Sequence, residues 1–270
     1  MSKNLALRIL VALVGIPLLI FICYRGDYFL LGFTILLTAL GGSELAAMLR
    51  HKGYQASAIL SVLMPVAFVL AAHFKYPLID LIVFSLFLIS LLIIIEYSKN
   101  KNYSLAAYPA DMFGRLLPSI YIGLLGAYII LVGRIDDIGG KLLIFTFLIT
   151  WLTDTGAYFG GKNLGRHKLS VLISPNKTWE GFYFGLTGAI VAAVLSKLVF
   201  LSISWVEILV MAVLASLFGQ IGDLFESAIK RHCDIKDSSS ILPGHGGILD
   251  RFDSFLFAVP VIYYIDKFWH

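Results

Sequence analysis

Nine stretches of this 270-residue chain are apolar over, or close to, the about 17 to 25 residues that a helix needs to cross a bilayer. They run over roughly 5–23, 28–49, 56–73, 78–96, 117–133, 141–160, 179–200, 204–226 and 254–268. Little chain is left between them for a soluble domain. The composition agrees, with 59% hydrophobic and 14% charged residues, against about 25% charged in an ordinary soluble domain. The expectation is therefore an all-α polytopic membrane protein of about nine transmembrane helices. The run over 78–96 is the most uniformly apolar and is expected to face lipid. The first run follows a short basic start and has no small-x-small cleavage site, so it reads as a retained span.

Charge sets the orientation. With nine spans, the connections on the amino-terminal side carry 15 of the Lys and Arg residues and those on the other side carry 6. The positive-inside rule places the N-terminus in the cytoplasm and the C-terminus outside. The two richest connections, 161–178 and 227–253, then face the cytoplasm. On this reading residues 1–116 form an N-terminal group of about four spans, and 117–270 a catalytic region of about five spans holding both loops. The net charge of +4 is no argument for nucleic acid. Cys23 and Cys233 are far apart in sequence and form no metal or disulfide pattern.

Acidic residues inside spans are costly and mark either a site or a buried partner. Glu44, Asp154, Glu180, Asp223 and Glu226 are five such positions, all expected on the cytoplasmic half, and Asp250 and Asp253 open the last span at the same level. Asp223, Ser227 and Lys230 are spaced i, i+4, i+7 on one helix face, and Asp250 and Asp253 are spaced i, i+3. Carboxylates at the ends of two consecutive helices suit Mg²⁺, which takes oxygen ligands and is held by one or two carboxylates plus substrate phosphates. Asp223 with Asp250 is the metal pair on this reading, and Asp154 and Asp253 assist. Glu44 and Glu226 read as structural. The loop at 161–178 is basic, and Asn176 and Lys177 stand just before a helix N-terminus, an arrangement that binds phosphate. His51, His73, His167, His232 and His270 read as solvated or interfacial, and His245, among glycines, as either a ligand or a turn former.

The pattern Ser227-x-Ile229-Lys230-Arg231, then Lys236-Asp237, then Leu242-Pro243-x-His245-Gly246-Gly247-Ile248-x-Asp250-Arg251-Phe252-Asp253 resembles the signature of the phosphatidate cytidylyltransferases (CDP-diacylglycerol synthases). The stretches around Asp154 and over Ser174–Gly181 are similar to other motifs of that family, more loosely. The resemblance implies a nucleotidyltransferase of phospholipid biosynthesis that joins CTP to phosphatidic acid, giving CDP-diacylglycerol and pyrophosphate. It also implies Mg²⁺ as cofactor, with K⁺ a candidate second cation, a site facing the cytoplasm from the inner membrane, and a homodimer. In that chemistry Asp223 and Asp250 hold the metal, with Asp154 and Asp253 as supporting groups. Lys230, Arg231, Lys236 and Arg251 neutralise phosphates, and Asn176 and Lys177 contact the nucleotide. Ser227 and His245 line the substrate site, and Gly246 and Gly247 let backbone N–H groups approach an oxygen.

Two other functions fit parts of the pattern. A CTP-dependent kinase of a lipid alcohol such as a polyprenol would use the same metal and phosphate contacts but release CDP. An ion-coupled transporter would spread its acids through the membrane depth, whereas the acids named above fall at one end.

Overall fold

The computed structural model describes residues 3–99, 104–241 and 246–270. Its helices are α1 (Lys3–Arg25), α2 (Asp27–His51), α3 (Leu60–His73), α4 (Leu78–Lys99), α5 (Tyr108–Gly133), α6 (Gly139–Leu164), α7 (Trp179–Val199), α8 (Trp205–His232) and α9 (Leu249–Trp269). Among the described residues, α2, α4, α5, α6, α7 and α8 are long and apolar enough to cross a membrane, as befits a multi-pass membrane protein. Among the described side chains α1 is apolar over Leu13–Arg25, continuing the run that the sequence shows from residue 5, and α3 has 14 residues.

Helices α4 and α9 show why apolarity and burial run opposite ways in such a fold. Only 17% of the most apolar stretch of α4 is buried, so most of its apolar surface points away from the protein, as the expected lipid-facing helix requires. Helix α9 carries Asp250, Arg251, Asp253, Asp266 and Lys267 and falls outside the six. It is shielded by protein. Phe255 stacks on Phe147 of α6 at 3.9 Å, Phe252 meets Phe33 of α2 at 5.9 Å, and Phe257 meets Tyr121 of α5 and Phe225 of α8. Such aromatic contacts add to the area they bury.

Two antiparallel helix pairs form the C-terminal half, each closed by glycine, whose lack of a side chain lets helix axes approach. In α8 and α9, Gly222 packs on the Asp253 carbonyl and the Phe257 ring, and Gly219 on Ser254. In α6 and α7, Gly156 and Gly160 pack on Phe184, and Gly188 on the Leu152 carbonyl. In α5, a π-helical turn over Pro118–Leu124 brings Tyr121 and Ile122 into the core.

Three boundaries differ from the sequence expectation. Helix α5 begins at Tyr108 rather than near 117. Helix α8 continues to His232, because Glu226 and Lys230 pair across one turn at 2.6 Å instead of leaving the helix. The loop at 161–178 contains an antiparallel hairpin, β1 (Lys168–Ser170) with β2 (Ser174–Thr178), paired Lys168 to Thr178 and Ser170 to Ser174. The all-α expectation did not include it. The last hairpin residue, Thr178, caps α7 by accepting from the Gly181 N–H at 3.1 Å.

Candidate active site

The hairpin folds back over α6 and α8 and closes a cavity of about 470 Å³. Asp154 enters from α6, Gln220 and Asp223 from α8, and Asn176 and Lys177 from β2. Tyr158, Lys162 and Phe182 complete much of the wall. Acids and bases thus share one space. Lys177 Nζ lies 2.5 Å from Asp223 Oδ2, and both side chains are about a third exposed. The other oxygen of Asp223 accepts a long bond from Ser227 Oγ at 3.4 Å. Gln220 lies one turn before Asp223, and its Nε2 is buried without a hydrogen-bond partner. An unsatisfied buried donor is costly, and in a polar cavity it suits an acceptor on a ligand.

Behind this wall Asp253 lies within electrostatic reach of Asp223 and Asp154, and Arg251 and Lys177 act on Asp154. Tyr121 is 3% exposed, its hydroxyl has no partner, and it stands in the field of Asp253, Glu226 and Asp223.

Asp250 sits in a different environment. Its Oδ1 meets Lys230 Nζ at 2.7 Å. Its Oδ2 accepts from the Gly247 N–H at 2.8 Å and from the Ser238 N–H and hydroxyl, both at 3.0 Å. Lys230 is shared with the fully buried Glu226. Gly246 has φ +83°, a conformation that glycine adopts without strain, and a Cβ there would meet Asp250 Oδ2. Next to this knot Glu44 of α2 accepts from Ser238 Oγ at 3.1 Å, Ser239 Oγ at 2.6 Å, and the Ile248 and Leu249 N–H groups at 2.9 and 2.8 Å. A carboxylate on free N–H groups at a helix start is favoured by both hydrogen bonding and the helix dipole. Glu44 therefore caps α9 from another helix.

The structure brings together Asp154, Asn176, Lys177 and Asp223, with Asp253 and Arg251 near. It groups Lys230, Gly246, Gly247 and Asp250 in the knot, where the oxygen approached by the Gly247 N–H belongs to Asp250 itself. Arg231 donates to the Ile173 and Ile235 carbonyls, and Lys236 is exposed. His245 lies outside the described residues. Glu180 accepts from His167 Nδ1 at 2.6 Å and from the Arg166 and His167 N–H groups, bracing the hairpin base. Lys162, Tyr158, Gln220 and Tyr121 were not singled out from sequence. The i, i+3 spacing of Gln220 and Asp223 and the i, i+4 spacing of Asp154 and Tyr158 were the available signals.

Asp154 and Asp223 offer hard oxygen atoms to one polar space, and Asp223 already holds a cationic atom, the Lys177 ammonium. This donor set suits Mg²⁺ shared with a ligand's phosphates. Lys162, Lys177, Asn176 and Gln220 supply N–H donors for phosphate oxygens or a polar base. Carboxylates for a cation, beside cations for an anion, suit a metal-bound polyphosphate.

Comparison with known proteins places the chain in a family. The model of a family described as the cytidylyltransferase family matches residues 6–269. The phosphatidate cytidylyltransferase of Bacillus subtilis is 39% identical over 265 residues, 96% of this chain and 96% of that protein. That of Staphylococcus saprophyticus is 38% identical over 260 residues, 94% of this chain and 96% of that protein. A stretch of 125 residues, 46% of this chain and 48% of that protein, is 53% identical to the Staphylococcus epidermidis phosphatidate cytidylyltransferase.

Proposed function

The chain belongs to the cytidylyltransferase family, and from that premise we propose that it transfers the cytidylyl group of CTP to phosphatidic acid, giving CDP-diacylglycerol and pyrophosphate. The observation that carries this reading into the structure is the cavity between α6, β2 and α8, where Asp154 and Asp223 face Lys162, Lys177, Asn176 and Gln220.

A phosphatidate oxygen attacks the α-phosphorus of CTP. One P–O bond forms, the bond between the α-phosphorus and its bridging oxygen breaks, and the pair of electrons leaves with pyrophosphate. The nucleophile is already ionised, so no side chain need activate it. The protein's task is positioning and charge neutralisation. Asp154 and Asp223 are the residues that would hold Mg²⁺, which supplies charge neutralisation at the phosphates when bound. Lys177 exchanges Asp223 for a phosphate oxygen of CTP, and Lys162, Asn176 and Gln220 orient the nucleotide. Asp253 tunes this group through its charge, and Arg251 neutralises the lipid phosphate. The knot around Asp250 holds the α8 and α9 ends in register. This departs from the sequence expectation that paired Asp223 with Asp250 on the metal.

The same reading puts nine spans in the cytoplasmic membrane with the cavity facing the cytoplasm, where soluble CTP and a lipid headgroup can both arrive. The charge asymmetry of the connections supports it. A homodimer and a K⁺ companion ion rest on the family resemblance alone.

The test is purified protein in detergent with phosphatidic acid, CTP and Mg²⁺, assayed for pyrophosphate and CDP-diacylglycerol. Mg²⁺-dependent formation of both is expected. CDP release with a lipid alcohol, and no product from phosphatidic acid, would move the chain to the kinase reading.

A further inference from the structure

At the far end of α8 from Asp223 lies a second group of titratable side chains. Glu207 stands in the first turn of α8, and Asp266 and His270 at the end of α9. The antiparallel packing of the two helices makes them meet. One ligand atom from each lies within 4.8 Å of the other two. The 16 residues between Glu207 and Asp223 put this group about 24 Å along the helix axis from the cavity, so it is not part of the cytidylyl site. Glu207 and Asp266 are not among the span acids of the sequence expectation, which has His270 as solvated or interfacial.

Both carboxylates are buried, Glu207 at 1% and Asp266 at 8% exposure. Glu207 Oε1 and Asp266 Oδ1 have no hydrogen-bond partner. Two carboxylates with bare oxygens facing each other are strongly unfavourable without a cation between them. The neighbouring lysines are turned elsewhere. Lys197 reaches the Ile203 carbonyl and Lys267 lies over the Tyr263 ring. His270 Nε2 is 3.4 Å from Glu207 Oε1. That is long for a charge-assisted hydrogen bond, and close to the ~3.3 Å edge of a tetrahedron with ~2.0 Å metal bonds. Asp266 also sits at the negative end of its helix, where a cation is favoured. The His270 ring is 61% exposed, which leaves a path for an ion to enter.

We propose that Glu207, Asp266 and His270 form a second metal site, for a divalent transition ion of the zinc class. The mixed set of two oxygens and one imidazole nitrogen selects such an ion over Mg²⁺, which prefers oxygen alone. Three protein ligands leave one position for water. Bound there, the ion joins the start of α8 to the end of α9 and neutralises both buried acids.

The test uses the full chain in detergent after chelation, with Zn²⁺ alone and no nucleotide or lipid. Calorimetry should find a Zn²⁺ site in the parent that survives Asp223→Asn, and Zn²⁺ should raise the melting temperature. His270→Ala and Asp266→Asn should each weaken that site about tenfold or more. Co²⁺ in its place should show visible d–d absorption that His270→Ala removes. The His270 variant alters an exposed ring, so it reports even if the Asp266 variant folds poorly. Absence of Zn²⁺ binding, binding unchanged in His270→Ala, or binding lost in Asp223→Asn would each overturn the site. An Asp266→Asn chain that melts higher, with a parent indifferent to Zn²⁺, would assign a shared proton to the two acids instead.

Discussion

Asp223 near the end of α8 and Asp250 at the start of α9 carry the same charge, and each meets a lysine at close range, 2.5 Å from Lys177 and 2.7 Å from Lys230. Their surroundings differ in how much bonding capacity is left over. Asp250 spends both oxygens on a lysine, two N–H groups and a hydroxyl. Asp223 has one lysine and one long serine contact, and opens on a cavity. A saturated carboxylate holds a structure in place. An undersaturated one beside a movable lysine can take a new ligand. Residue type and helix position do not separate these two environments, but the count of partners does.

The sharpest way to break this comparison is Asp223→Asn. It should lower the rate of CDP-diacylglycerol formation by about 100- to 1000-fold, the scale seen when one preorganised charge-stabilising group is lost, with the melting temperature unchanged. Normal activity in that variant would remove Asp223 from the site. Next comes Glu44→Ala, which leaves two backbone N–H groups and the Ser239 hydroxyl without their acceptor. A loss of about 2–4 kcal/mol is expected, read as a lower melting temperature. Asp250→Asn keeps an acceptor for Ser238 and Gly247 but removes the charge facing Lys230. It should lower stability more than Asp223→Asn and activity less. An Asp250→Asn chain of full stability and no activity would return Asp250 to the catalytic group. A smaller effect is expected of Lys177→Met, which should raise the KM for CTP by about tenfold, the value of one charged phosphate contact, with the fold intact.

The smallest effect belongs to the exposed pair Lys52 and Asp234, 2.7 Å apart. Lys52 holds the Asp234 carboxyl below its usual range, and Asp234 holds the Lys52 amine above its own. The contribution of Asp234 is present above the ordinary carboxylate range and is lost as pH falls through its lowered value. That of Lys52 is present below the ordinary lysine range and is lost as pH rises through its raised value. Exposed pairs contribute little, so Asp234→Asn should leave the melting temperature unchanged at neutral pH. A clear drop would mean the pair bears on the knot nearby.

Much of this was legible in the sequence, because crossing a bilayer imposes long apolar runs that few other structures need. The exposed, apolar α4 follows from local pattern, and the gathering of Asp154, Asn176, Lys177 and Asp223 from the family resemblance. The difference in bonding between Asp223 and Asp250 does not. The saturation of Asp250 comes from Ser238 and Gly247, and that of its neighbour Glu44 from residues about 200 positions away. The β1–β2 hairpin was missed because strands of 3 and 5 residues carry no usable period. Glu207 and Asp266 were passed over because each looks like an ordinary helix-end acid, and only the antiparallel meeting of α8 with α9 buries them together.

The bond from the Leu249 N–H to Glu44 spans 205 residues. A ribosome making this chain releases α2 well before α9. The second helix must therefore wait in the membrane with its acid unanswered until the final helix arrives to receive it. A chain cut between α4 and α5 would have to reassemble from two separately inserted pieces before the last helix had its cap.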